Sequence, residues 1–74
     1  MTLRDFMESN DWKEIDLAYH SGISLNTVKH MLEKKHRASG NTIILLDCLM
    51  CAEGLTETER LAVIRDVTQE KSNA

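Results

Sequence analysis

The side chains best suited to chemistry in this sequence of 74 residues are its two cysteines. Cys48 and Cys51 form the motif CLMC, and CxxC spacing occurs in redox pairs and in halves of zinc sites. A structural zinc site needs two further ligands, and the sequence contains neither a second CxxC nor an HxxxH. Since the pair lies inside an apolar segment, both cysteines are expected to be small buried hydrophobic residues. A redox or metal role is the weaker alternative.

The other polar residues show no pattern typical of an active site. His20, His30 and His36 are expected at the surface rather than as ligands. There is no Ser/His/Asp spacing, no phosphate-binding loop and no pair of carboxylates in an apolar setting. The sequence therefore predicts a protein that is not an enzyme and that uses neither a metal nor a cofactor.

Length and composition indicate one small globular domain. The chain has 42% hydrophobic residues and a formal net charge of −3, which predicts a single domain over residues 1–70 and a frayed tail at 71–74. One Trp, one Tyr and one Phe predict an aliphatic core and argue against a platform for stacking single-stranded bases.

No targeting or membrane-spanning segment is expected. Charged residues interrupt the N-terminal stretch MTLRDFMESN, which excludes the apolar core of a signal peptide. The longest apolar run, Ile43–Leu46, is far shorter than the ~20 residues that span a bilayer. We therefore expect a cytoplasmic protein without a membrane partner.

Helical signals divide the chain into five segments and predict an all-α fold. The sequence has no proline, and its three glycines fall between segments with helical apolar spacing. The predicted helices cover about residues 3–9, 12–20, 25–34, 42–52 and 57–68. Candidate N-caps are Thr2, Asp11, Ser24 and Thr56, with Asp5, Glu14 and Glu59 as capping-box partners.

The same spacing predicts which side of each helix is apolar. The expected apolar stripes are Leu3, Phe6 and Met7, then Trp12, Ile15 and Tyr19, then Val28, Met31 and Leu32, and finally Leu61, Ile64 and Val67. The segment TIILLDCLMCA is apolar nearly all round, which predicts a buried central helix. Its single charge, Asp47, is expected either at an interface or in a hydrogen bond between helices.

The second and third segments have the spacing of a helix-turn-helix unit. Ala18 is small enough for a helix crossing, and Gly22, four residues later, tolerates the positive φ of the turn. Ile23 can fill the corner, and Val28 and Met31 on the second helix can pack their apolar side chains against it. A helical hairpin that binds nothing is the alternative explanation of this pattern.

The stretch LAYHSGISLNTVKHM resembles the helix-turn-helix of Cro and lambda-repressor-like (Xre-type) DNA-binding proteins. The matching residues are Leu17, Ala18, Gly22, Ile23, Ser24, Val28 and Met31. A basic turn, an apolar helix and a fifth helix follow, as is typical of the family, and the resemblance covers roughly residues 12–55. It implies a compact five-helix lambda-repressor-like domain of the size of a small phage regulator. The family often has Thr-Gln at the start of the second helix, where this chain has Lys13 and Glu14.

The family places the N-terminal side chains of its third helix at base edges in the major groove. Carried over, the resemblance implies base reading by Leu25, Asn26, Lys29 and His30. It implies phosphate contacts by Lys13, Ser24, Lys34, Lys35 and Arg37. The three basic residues of the loop could instead simply keep that loop solvated.

The negative net charge does not oppose DNA binding, because the charges are segregated. The formal charge is −3 over residues 1–19, +3 over residues 20–40 and −3 over residues 41–74. Beyond a Debye length of about 8 Å at physiological salt, the acidic regions are largely screened. We therefore expect a DNA binder with few phosphate contacts and a shallow dependence on salt.

Affinity would then depend on dimerisation. We expect a homodimer through Leu61, Ile64 and Val67, which would set two recognition helices ~34 Å apart on a palindromic double-stranded operator. The predicted function is a sequence-specific transcriptional regulator, a Cro-type repressor. The alternative is a protein-interaction module on a helix-turn-helix scaffold, such as an antirepressor or inhibitor whose acidic faces bind a protein.

Overall fold

The computed structural model describes residues 1–33 and 37–69, and these residues form five helices without a strand. The helices are α1 (Leu3–Ser9), α2 (Glu14–Ser21), α3 (Leu25–Glu33), α4 (Gly40–Ala52) and α5 (Glu57–Thr68). The predicted all-α class is confirmed. The predicted tail, residues 71–74, lies outside the described residues.

Helices α1 and α5 begin at the capping boxes that the sequence predicts. The Thr2 hydroxyl accepts a hydrogen bond from the Asp5 N–H at 3.2 Å, and the Asp5 carboxylate accepts from the Thr2 N–H at 2.9 Å. Thr56 and Glu59 repeat both bonds at 3.2 and 2.9 Å. The bond from the Thr2 backbone is the main reason that the pKa of Asp5 lies below its usual value.

Helix α2 begins later than predicted, and the predicted cap at Asp11 is wrong. Asp11 has a positive φ of 56°, and the Trp12 N–H donates to the carbonyl of Met7 at 2.9 Å. Both residues therefore belong to the turn that ends α1. Lys13 takes the cap position, and since an ammonium group cannot accept a hydrogen bond, only the Asp16 carboxylate contributes, accepting from the Lys13 N–H at 2.8 Å.

Helix α4 begins earlier than predicted, at Gly40 instead of Thr42. Its cap is Ser39, whose hydroxyl accepts from the Thr42 N–H at 3.3 Å. Glycine and asparagine are weak helix formers, so the sequence suggested a loop as far as Asn41. The serine cap overrides that preference in the first turn.

The core is built from one face of each helix and from the α2–α3 turn. Its buried hydrophobic residues are Leu3, Phe6, Met7, Leu17, Ile23, Val28, Met31, Leu46, Met50, Val63 and Val67. The stripes predicted for α1 and α3 are confirmed. The single tryptophan, Trp12, packs at the core edge between Phe6, at 5.6 Å between ring centroids, and His20, at 4.5 Å.

Helix α4 is not the fully buried helix that its composition predicts. Leu46 and Met50 are buried, whereas Ile44 is 61% exposed and Leu45 is 42% exposed. Both cysteines are exposed, so the prediction that they are buried is wrong. The physical reason is the shortage of neighbours, because the main contacts of α4 are with α2 and α5, which cover only part of its circumference.

The apolar stripes predicted for α2 and α5 are buried only in part. Ile15 and Tyr19 are 58% and 83% exposed, and Leu17 is the α2 side chain that fills the core. On α5, Val63 is fully buried, while Leu61 is 54% exposed. Val67 lies in the core, so it is not available for the dimer interface to which it was assigned.

Hydrogen bonds between distant residues hold the helices in this arrangement. An Asp66 carboxylate oxygen on α5 accepts from the Leu3 N–H at the start of α1, at 3.0 Å. The Ala38 N–H donates to the carbonyl of Val67 at 3.1 Å. Asp47 on α4 accepts from Nε of Arg60 on α5 at 3.2 Å, which confirms the predicted bond between helices. None of the described helices has the length and apolar character needed to cross a membrane.

Replacing Asp66→Ala is expected to lower the free energy of unfolding by about 1–3 kcal/mol, because the Leu3 N–H loses a charged acceptor. Urea unfolding followed by circular dichroism measures the change. Glu8→Ala, an exposed carboxylate on α1, is the control and should stay within ~0.5 kcal/mol of the wild type. Equal losses in both variants would contradict a specific role for Asp66.

Candidate nucleic-acid interface

The corner between α2 and α3 has the geometry that the sequence predicts. Gly22 has φ 79° and ψ 6°, and its N–H donates to the carbonyl of Ala18 at 3.0 Å, which ends α2. Ile23 is 5% exposed and fills the corner, and Val28 is completely buried. The two helices are therefore joined by only three residues and are held by a shared apolar contact.

Ser21 strengthens this corner in a way that sequence reasoning missed. Its buried hydroxyl donates to the carbonyl of Leu17 at 2.7 Å and accepts from the Ile23 N–H at 3.1 Å. By residue type alone, a serine before the turn glycine indicates only a small side chain. Its position one residue before Gly22 was the available signal, because a serine hydroxyl there can bond to the turn backbone.

Ser24 caps α3, as predicted, and its hydroxyl makes two hydrogen bonds in that position. Its hydroxyl accepts from the Thr27 N–H at 3.2 Å and donates to the Thr27 hydroxyl at 2.8 Å. Ile23 before the cap and Val28 after it are both buried, as in a hydrophobic staple. The start of α3 is therefore held rigidly by its own side chains.

The face of α3 that points away from the core carries most of the predicted reading residues. Asn26, Lys29 and His30 are exposed, whereas Leu25 is half-buried at the edge of this face. Asn26 and Lys29 lie three residues apart, so they project from adjacent turns on one side. Glu33, one turn beyond Lys29, is also exposed and adds a negative charge at the C-terminal end.

A polar cleft of about 230 Å³ lies between α3 and the N-terminus of α4. Its lining residues are Thr27, His30, Met31, Arg37, Ala38, Ser39 and Thr42. Arg37 lines this cleft, and the cleft borders the N-terminus of α4, where the helix dipole favours negative charge. The cleft can therefore accept an anion, and it opens beside the exposed face of α3.

Sequence reasoning found only part of this cleft. It identified His30 and Arg37 but gave no role to Thr27, Ser39 or Thr42. A serine three residues before Thr42 was a recognisable capping signal, which the neighbouring glycine obscured. Of the other predicted phosphate residues, Lys13 is exposed at the start of α2, while Lys34 and Lys35 lie outside the described residues.

Replacing Gly22→Ala is expected to destabilise the protein by ~1 kcal/mol or more, because a Cβ strains a backbone with positive φ although no atom lies close by. Gly40→Ala is the matched control. Gly40 lies in the first turn of α4 with open space around it, so the same change should be neutral or stabilising. Thermal unfolding of both variants measures the difference, and a stabilised Gly22→Ala variant would contradict the strained corner.

Comparison of the chain with protein-family models, with curated proteins and with solved structures gave no match. The resemblance to Cro and lambda-repressor-like proteins therefore rests on the motif residues of α2 and α3 and on the order of the helices.

Proposed function

We propose that this protein is a sequence-specific regulator of transcription that binds double-stranded DNA with α3 in the major groove, in the manner of a Cro-type repressor. The observation that supports this most strongly is the rigid corner at Gly22, which leaves Asn26, Lys29 and His30 exposed on one side of α3. Exposed polar side chains on a helix of nine residues fit the width of the groove.

Each exposed side chain has a chemical partner on base edges. The amide of Asn26 can bond to both major-groove groups of adenine, and the ammonium of Lys29 can donate to guanine. The two ring nitrogens of His30 can also form hydrogen bonds with base edges. Leu25 is half-buried, so it contributes at most an edge contact with a thymine methyl group.

The cleft beside α3 supplies the phosphate contact in this proposal. Arg37 and the first N–H groups of α4 would hold one phosphate while α3 lies in the groove. Lys13, which is exposed, would add a weaker contact, and the sequence predicts further contacts by Lys34 and Lys35. Ser24 contributes less than the family resemblance implies, because its hydroxyl is already bonded to Thr27. Few contacts of this kind give a lone subunit modest affinity.

Dimerisation through α5 would raise that affinity. Leu61 is exposed and Ile64 is half-buried beside it, while Glu57 and Arg65 lie one turn to either side of Leu61 and are exposed. If two copies pack α5 against α5 in opposite directions about Leu61, each Glu57 faces Arg65 of the second copy. The surface is therefore complementary to itself, as a twofold interface requires.

Asn26→Ala and Lys29→Ala are each expected to weaken binding to the cognate operator by ~1–3 kcal/mol, because each removes a base contact. Selection from random DNA supplies the operator, and fluorescence anisotropy at several salt concentrations measures the affinity. Arg4→Ala removes an exposed cation on α1 and is the control for Lys29. A selection that yields no consensus, or variants that bind like the wild type, would contradict the proposal.

Leu61→Asp is expected to shift the protein to monomer without unfolding it, because this side chain is 54% exposed. Sedimentation equilibrium measures the change. Glu57→Arg alone should weaken the dimer by placing positive charges opposite each other, and combining it with Arg65→Glu should restore it. A wild type that is monomeric at high micromolar concentration would rule out this interface.

A protein-interaction module is the second candidate, and one observation favours it. Ile15 and Tyr19 are exposed on α2, and Asp11, Glu14 and Asp16 surround them with negative charge. An acidic surface with two large apolar side chains is suited to a basic protein partner. Such a module would tolerate Asn26→Ala and Lys29→Ala and would lose its partner on Tyr19→Ala.

A further inference from the structure

The two cysteines form an accessible dithiol on the surface of α4. Cys48 and Cys51 are three residues apart within a helix that runs without interruption from Gly40 to Ala52, and both are exposed. Residues at this spacing project from adjacent turns on the same side of a helix. The proposed DNA contacts use the opposite end of α4, since Cys48 lies nine residues, or ~13 Å, beyond Ser39.

Helix geometry disfavours a disulfide between these two residues. Side chains three apart on a helix have Cβ atoms ~5–6 Å apart. A disulfide requires a Cβ separation of about 3.5–4.5 Å. Closing the bond would therefore distort the last turns of α4, where Met50 is part of the core. The redox interpretation of CLMC has no support in this geometry.

The same geometry suits a metal ion placed between the two sulfur atoms. Metal–thiolate bonds of about 2.3 Å allow the two sulfurs to lie up to ~4.6 Å apart on either side of one ion, with no change in the backbone. We propose that Cys48 and Cys51 form a site for a single soft, thiophilic ion of the Cu(I) class, bound by two thiolates. On binding, each thiol releases one proton to solvent and the ion keeps its oxidation state.

The surroundings favour a soft ion over a hard one. Ile44 and Leu45 are the exposed apolar neighbours on α4, and the nearest carboxylate on the helix, Asp47, is bonded to Arg60. Hard cations need several oxygen ligands. Zinc usually needs four ligands, and no cluster of three or more potential ligands occurs among the described residues. An ion that accepts linear coordination by two thiolates needs no others.

Titration with Cu(I) under anaerobic conditions, against a coloured competing chelator, tests the site. The full chain should bind one ion per chain, and bound Cu(I) should protect both thiols from alkylation by iodoacetamide. Cys48→Ser and Cys51→Ser should each weaken binding by at least ~100-fold, because each removes the intramolecular second ligand. Both positions are exposed, so neither serine is expected to affect folding.

Two variants with relocated cysteines keep the number of thiols constant. Cys51→Ser with Ala52→Cys places the thiols four residues apart on adjacent turns and should retain binding. Cys51→Ser with Asn41→Cys places them seven residues, or ~10 Å, apart and should lose it. Single serine variants that bind within threefold of the wild type, or one ion shared by two chains, would overturn the proposal. Neither outcome bears on DNA binding, which the operator selection tests separately.

Discussion

The left-handed backbone at Gly22 is the constraint on which the candidate interface depends. It ends α2 through the bond from the Gly22 N–H to Ala18 and turns the chain within three residues. Ile23 and Val28 can then be buried together, and the Ser21 hydroxyl fixes the turn backbone. With one face of α3 held in the core, its opposite face is presented to solvent as a rigid surface. A looser turn would leave the exposed side chains without a defined geometry.

The small size of the domain explains the surfaces that are left over. Five short helices bury one face each, and no further helix exists among the described residues to cover the outer sides of α2, α4 and α5. Ile44, Leu45 and Leu61 are exposed for this reason. The dithiol lies on the same helix as Ile44 and Leu45 and is exposed as well. The features proposed for dimerisation and for metal binding therefore follow from the small number of helices, which leaves some apolar faces uncovered.

Acidic and basic residues are distributed unevenly over the molecule. Several acidic residues lie in the first turns of helices, where negative charge interacts favourably with the helix dipole. Asp5, Asp16 and Glu59 also accept backbone hydrogen bonds there, so they have a structural role in capping. Arg37 and the N-terminus of α4 lie together at the cleft beside α3. The net charge of the chain describes neither the acidic helix starts nor this cleft, because interactions between exposed charges are largely screened beyond the Debye length.

The sequence by itself determined what depends on neighbours a few residues apart: five helices, the capping boxes at Thr2 and Thr56, and the corner at Gly22. These features follow from hydrogen bonds and steric limits within three or four residues. Only the tertiary structure decided which faces of α2, α4 and α5 are buried. Apolar spacing grouped Tyr19 with Trp12, and the apolar composition of α4 placed the cysteines inside, but the structure exposes Tyr19 and both cysteines while burying Leu17 and Val63. An apolar side chain is buried only where another helix covers it, and the packing of α4 against α2 and α5 is settled by contacts between residues far apart in the chain.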